Sequence, residues 1–244
     1  MSSATKRMKK AYSLYDKSVF YTLDEAVDIL MKYKENASAK FDESVDTVIK
    51  LGVDTDKPDQ VIKSFVELPH GNGKKAKIIV FANDDNIDKA LSLGAVAAGG
   101  DELIDKVARG EITDFDKVVA TTVMMPKLTK IAKILGPKGL MPSPKLGTVI
   151  NGSVIPVVQS LIKGRSNFKT EKDGCVKLGI GKMSFGKEKI IENFKEIISV
   201  IKQLKPSSVK ANYFSSIILS STMGVKIKIK MSDIYSIWKK KKIL

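Results

Sequence analysis

The chain has 244 residues, 43% of them hydrophobic, and a formal net charge of +15. That apolar share can fill a core, which excludes a disordered chain, and no apolar run approaches the roughly 20 residues of a membrane span. The charge calls for a polyanion, either nucleic acid or an anionic membrane surface.

The charge is uneven. Residues 157–244 hold 19 basic and 6 acidic residues, whereas residues 1–70 hold 11 and 12. Part of that excess is the run Lys239-Lys240-Lys241-Lys242, but the last third stays basic without it. The single cysteine, Cys175, excludes an internal disulfide and a cysteine-based zinc site. It reads as a small buried hydrophobe.

In chain order, residues 1–17 read as a loose basic arm with no apolar stretch behind it, so no secretory leader is expected. Thr22 followed by Glu25 predicts a capping box, and Ala26, Val27, Leu30 and Met31 follow at helical spacing up to Asn36 and Ser38. The alternation of Val45, Thr47, Ile49, Leu51 and Val53 predicts a strand over 41–53, and a second strand is expected over 61–68.

At Pro69–Lys74 the pattern changes. Ile78–Ala82 is a continuous apolar run, as in a strand buried on both faces. A helix over 84–93, a short apolar segment over 95–98, a helix from Asp101 to Gly110, a strand over 118–121 and a helix over 124–135 then alternate. Such alternation predicts a small doubly wound unit. Next comes Gly136-Pro137-Lys138-Gly139-Leu140-Met141-Pro142-Ser143-Pro144-Lys145-Leu146-Gly147, which can be neither regular helix nor inner strand.

Beyond it, a helix is expected over 154–162. Strands 165–170 and 175–180 are expected to form a hairpin around Glu171–Gly174. A long amphipathic helix is expected over 187–204, then strands 213–221 and 225–230 around Thr222-Met223-Gly224. The outer pieces are each too small for a core, so they are expected to join. The predicted fold class is α/β in two domains. A split α+β domain (1–70 plus 157–231) is interrupted by a Rossmann-like βαβ domain (71–156), and a basic extension follows (232–244). The two crossings would form a hinge. The extension either lengthens a nucleic-acid contact or is disordered.

Enzyme readings fail on inventory. His70 is the only histidine and reads as structural, beside a boundary. There is no Ser/His/Asp set and no metal-ligand cluster, so neither metal nor cofactor is expected. Gly71–Lys74 and Gly179–Lys182 lack the full phosphate-loop pattern, and no G-x-G-x-x-G follows Ala82.

The Gly136–Val149 segment closely resembles the signature of the ribosomal protein L1 family of the large subunit, in its bacterial form. Lys40–Val45, Leu68–Gly71, Gly99-Gly100, Asp114–Asp116, Gly181–Phe185 and Ser221–Gly224 resemble that family's other landmarks in the same order. The resemblance spans about residues 5–230. It implies a split domain that binds the 23S ribosomal RNA of the mobile L1 stalk, contact with exit-site tRNA and help in its release, and repression of the protein's own operon through its messenger RNA. It also implies a cytoplasmic protein of the large subunit, monomeric within the ribosome, with no membrane partner.

Carried onto this chain, the resemblance implies RNA contacts at Lys40, Phe41, Glu43, Ser44, Ser216, Thr222, Met223 and Gly224. Hydroxyls can exchange hydrogen bonds with 2′-hydroxyls and phosphates, and Met223 offers a polarizable apolar face. Lys163, Arg165, Lys169, Lys172, Lys177 and Lys182 are expected to serve phosphates, and hence affinity rather than sequence choice. Lys138 and Lys145 either reach phosphate or belong to a loop that only packs the inserted domain.

Overall fold

The computed structural model describes residues 5–74, 76–209 and 212–240, with the backbone alone at 84–86 and 237–240. The chain divides into two compact units, one made of 1–73 and 168–244 and the other of 74–167.

The first unit opens with a helix where a loose arm was expected. α1 (Lys6–Ser13) is capped by Thr5 and anchored by the buried Ala11. β1 (Phe20–Tyr21) follows. In α2 (Leu23–Ala37) the predicted capping box closes: the Glu25 N–H donates to Thr22 Oγ1 at 3.4 Å, and the Thr22 N–H donates to Glu25 Oε2 at 2.8 Å. Two of the helix's orphan amide donors are thereby satisfied. β2 (Ser44–Leu51) keeps the predicted period of two, with Val45, Thr47, Ile49 and Leu51 buried. β3 (Lys63–Val66) completes the first pass.

The inserted unit runs β4 (Ile78–Phe81), α3 (Asp84–Ser92), β5 (Ala97–Gly99), α4 (Asp101–Ala108), β6 (Lys117–Thr121), α5 (Ala132–Leu135), β7 (Val149–Ile150) and α6 (Ile155–Lys163). Its four strands are all parallel, in the order β5-β4-β6-β7. The doubly wound expectation holds, with β4 buried throughout. The helix expected over 124–135 is broken into 3-10 turns at Thr122–Met124 and Lys127–Ile131, with α5 behind them. Pro126 has no N–H to sustain an α-helical ladder, and its carbonyl takes an i+3 bond from Thr129. α6 was assigned to the split domain from residue 157. Its Val158 and Leu161 instead bury against Ile78, Val80 and Val119, so the return crossing falls at 167/168.

The chain then adds β8 (Ser166–Lys169), β9 (Cys175–Lys182), α7 (Lys187–Gln203), β10 (Phe214–Ser221), β11 (Lys226–Ile229) and α8 (Met231–Lys240). The main sheet has the order β1-β11-β10-β2-β9. One face carries a core in which Leu30 and Tyr33 of α2 and Phe194, Ile197 and Ile201 of α7 meet Ile49, Ile217 and Leu219 of the sheet. The turn Glu171–Gly174 forms, with Gly174 at φ +73°, but its flanks do not pair as a hairpin. β9 joins β2, while β8 joins β3 and Thr170 exchanges hydrogen bonds with Ile62. The extension is not a free tail within the described residues: Ile234 is buried in the core, and Asp233 Oδ2 accepts from the Leu23 N–H at 2.7 Å.

Candidate nucleic-acid interface

At one end of the main sheet, the chain entering β2 and the turn between β10 and β11 lie side by side. Thr222 bridges them: its Oγ1 accepts from the Ser44 N–H at 3.0 Å and donates to the Ser44 carbonyl, which also takes the Thr222 N–H at 3.0 Å. This apex brings together Lys40, Phe41, Glu43, Ser44, Thr222, Met223 and Gly224 across more than 170 residues of chain. Phe41 is 54% exposed and Met223 52%. Two large apolar side chains held out in water beside lysines suit stacking and packing against bases and riboses.

Glu43 takes a different place from the one the sequence suggested. Its side chain is 1% exposed, so it cannot touch a ligand. One carboxylate oxygen accepts from the Tyr33 hydroxyl at 3.0 Å and the Ala39 N–H at 2.8 Å, and the other accepts from the Met223 N–H at 3.0 Å. Burial alone would raise its pKa, but the amides of Ala39 and Met223 and the hydroxyl of Tyr33 together hold it below the ordinary 4.5. Glu43 is therefore an anionic post to which both loops are tied.

Arg7 and Tyr33 complete the network, and the sequence reading missed both. From α1, Arg7 donates to the Met223 carbonyl at 3.0 Å and to the Tyr33 hydroxyl at 3.3 Å, with its guanidinium 3.9 Å from Glu43. Met223 is thus held by its N–H and its carbonyl at once. Gly224 closes against Tyr33 with no room for a side chain. Nearby, Lys182 donates to the Asp42 carbonyl at 3.2 Å, and Ser184 caps the Asp42 carboxylate.

Ser216 is not at the apex. It pairs with Lys50, five residues back along β10, or about 16 Å at strand rise. It lies on the face of the sheet opposite the core. Register places Ser220, Asp46 and Gly179 in one row there, and Ile218, Val48 and Lys177 in the next. Lys226 and Lys228 of β11 stand opposite Ser220 and Ile218. Lys50, Lys177, Lys226 and Lys228 are all exposed, so this open face is a basic floor leading from the apex. The period-two alternation of β2, β10 and β11 was the signal that could have found it. Cys175 lies on the same face, half-buried and opposite Lys50, rather than in the core.

The expected phosphate contacts divide. Lys169 and Lys172 are exposed, and Lys163 is exposed on α6 of the inserted unit. Lys177 is exposed but engaged with Glu171 at 2.5 Å, which raises its pKa. Arg165 is a correction. It is 5% exposed, and its guanidinium donates to the Leu146 carbonyl, so it ties the Pro/Gly loop down inside the inserted unit. That loop is a folded platform: Gly139 and Gly147 take positive φ, and Thr148 Oγ1 accepts from the Ser143 N–H at 2.9 Å. Lys138 and Lys145 are exposed on it, with Lys138 Nζ 5.8 Å from the Phe115 ring centroid. His70 pairs with Glu192, and its N–H donates to Asn193 Oδ1 at 3.1 Å, a structural role.

Comparison with known proteins bears on what this surface serves. The model of the ribosomal protein L1p/L10e family matches residues 33–225. The chain is 45% identical over 231 residues to the large ribosomal subunit protein uL1 of Mycoplasmopsis agalactiae, covering 93% of this chain and 96% of that protein. It is 43% identical over 233 residues to that of Protochlamydia amoebophila (96% and 97%) and 40% identical over 237 residues to that of Persephonella marina (97% and 96%).

Proposed function

The chain belongs to the ribosomal protein L1p/L10e family, and from that membership we propose that the apex and the basic sheet face bind 23S ribosomal RNA of the large subunit. It is a ribosomal protein of the large subunit rather than an enzyme, working in the cytoplasm within the ribosome. The observation that carries the RNA reading is the exposed pair Phe41 and Met223, on two loops whose backbones at Ala39 and Met223 are tied to one hidden carboxylate. Loops already held together do not need to be ordered on binding, so less affinity is lost to loop ordering. Ser44, Thr222 and the lysines of the open face add hydroxyl and phosphate contacts.

Met223→Ala is expected to weaken binding to a 23S fragment by about 1–3 kcal/mol, by analogy with specific contacts elsewhere. Its melting temperature should not change, because the side chain is half exposed. Thr222→Ala is expected to lose similar affinity and some stability as well, since its hydroxyl also bridges the loops. Filter binding that found wild-type affinity for both variants would sink the assignment.

The finer roles belong to the same proposal. An apex that reads RNA shape would take a messenger segment folded like the ribosomal site, which would repress the protein's own operon. That messenger leader should then compete with the 23S fragment at equal footing for wild type and be weakened in parallel by Met223→Ala. Contact with exit-site tRNA, and help in its release, would follow from a place on the mobile stalk. Lys138 and Lys145 of the inserted unit are the candidate contacts there.

A further inference from the structure

We propose that the open edge of β5, in a groove between α3 and α4 of the inserted unit, is a docking site for an extended basic segment of another protein, which joins the sheet as a further strand.

The edge is bare. Among the described residues β5 pairs with β4 alone, so its other side carries backbone N–H and C=O groups with no strand partner. Proteins commonly guard such an edge with lysine, proline or a covering element. Here it consists of Ala97, Ala98 and Gly99, followed by Gly100. All four are only half-buried, and none has a side chain long enough to shield the backbone. Beside the edge runs a groove of about 550 Å³. Ile87 and Leu91 of α3 supply one wall, and Leu103 and Lys106 of α4 supply the other, with Ile112.

Ala97 packs with the core that holds Leu103, and Ala98 with the core that holds Ala90 of α3, so the two walls flank opposite faces of the strand. Leu91 is 45% exposed, and Val96, which enters β5, is 53% exposed. A strand laid along β5 would send alternate side chains to the two walls while its backbone extends the ladder. An edge this short gives only roughly two or three backbone hydrogen bonds, so the walls and the charge must supply most of the affinity.

Charge selects the kind of strand. Residues 83–116 hold 9 acidic and 3 basic residues, in a chain whose net charge is +15. Asp101, Glu111 and Asp114 are paired with Lys127, Arg109 and Lys77. The exposed Asp88, Glu102 and Asp105 have no ion-pair partner among the described residues. Such a patch repels a phosphate backbone and attracts a peptide that carries lysine or arginine.

Fluorescence anisotropy with full-length protein tests the site. The probe is a short labelled peptide of alternating lysine and valine with blocked ends, beside a copy N-methylated at every amide. The remainder of the chain is strongly basic and repels both, so binding reports on the acidic groove. The plain peptide is expected to bind saturably. The methylated copy keeps every charge but has no donor, and it should bind at least about tenfold more weakly. Leu91→Lys places a cation in the apolar wall and is expected to weaken binding at least about tenfold. Glu102→Lys should weaken it about two- to fivefold at low salt and less at high salt. Both positions are exposed, so both melting temperatures should match wild type; if Leu91→Lys melts early, Glu102→Lys decides. The proposal is overturned by a lack of saturable binding to wild type, by equal binding of the two peptides, or by wild-type affinity in both variants. A concentration-dependent dimer that Leu91→Lys dissolves would also overturn it, because the edge would then belong to a second copy of this chain.

Discussion

Glu43→Ala is expected to cost about 3 kcal/mol of stability and to weaken RNA binding more than any substitution of an exposed apex residue, although Glu43 touches no ligand. Removing one partner of a buried charge pair typically costs roughly 3–5 kcal/mol. The low end applies here because the Arg7 side chain stays 31% exposed, so water can solvate the charge left behind. The larger loss is of order. The amides of Ala39 and Met223 and the hydroxyl of Tyr33 all lose their acceptor at once, and a buried donor left alone costs about 1–3 kcal/mol. Urea unfolding measures the first effect, and filter binding in the absence of denaturant measures the second.

The pH dependence follows from the same group. Glu43 has a folded pKa below its ordinary 4.5, because the donors around its carboxylate outweigh the burial that opposes ionisation. Its contribution is fully present above the unfolded value and is lost as pH falls through the folded one. The wild-type apex is therefore expected to loosen only in acid, below about pH 4.5, with RNA affinity and stability falling together. Glu43→Gln keeps the shape but cannot titrate, so that acid limb should flatten. A Glu43→Gln protein whose stability still followed the wild-type acid limb would show that another carboxylate sets it.

Much of this was legible in the chain. The box Thr22/Glu25 declared the start of α2, and the alternation through β2 and the stripe of α7 placed the core. The landmarks at 40–45 and 221–224 named the two loops that meet. The failures share a physical cause, which is that a residue's role was set by partners distant in sequence. Half of residues 6–13 are basic, which made the segment look like a solvated arm despite its amphipathic spacing; α1 depends on docking, through contacts 26 and 216 residues away. Glu43 looked like a contact because it stands among the family landmarks at 40–45, yet its donors arrive from α2, from the loop after it and from the β10–β11 turn. Arg165 looked like a free cation in a basic region, but Leu146 and its fold partners enclose it. Arg165–Thr170 and Cys175–Ile180 looked like a hairpin because local turn chemistry is visible in sequence, while competition from β2 and β3 is not.

Gly224→Ala is the second substitution with a large expected effect, and the reason is purely steric. A methyl group built there would lie 2.0 Å from Ser221 Oγ and 2.8 Å from two ring atoms of Tyr33. Tyr33 cannot yield: it is fully buried, and its hydroxyl is held by Glu43 and Arg7. The turn must swing out instead, which breaks the Gly224 N–H bond to Ser221 and draws Met223 off Glu43. Overpacking of this kind costs about 1–3 kcal/mol. RNA affinity should fall at least as far as in Met223→Ala, because Thr222 and Met223 move together.

Gly139→Ala in the inserted unit is the control. Open space surrounds it, and only its φ of +68° resists, so it should lose about 1–2 kcal/mol of stability with no change in RNA affinity. The double variant Ser221→Ala/Gly224→Ala locates the obstacle. Removing the Ser221 hydroxyl lifts the closest contact but leaves the ring, so partial recovery is expected, with a coupling energy of at least about 0.5 kcal/mol between the two sites. Full recovery of RNA binding would mean that Ser221 alone was the wall. No recovery would leave Tyr33, and through it the Glu43 post, as the element that sets where Met223 stands.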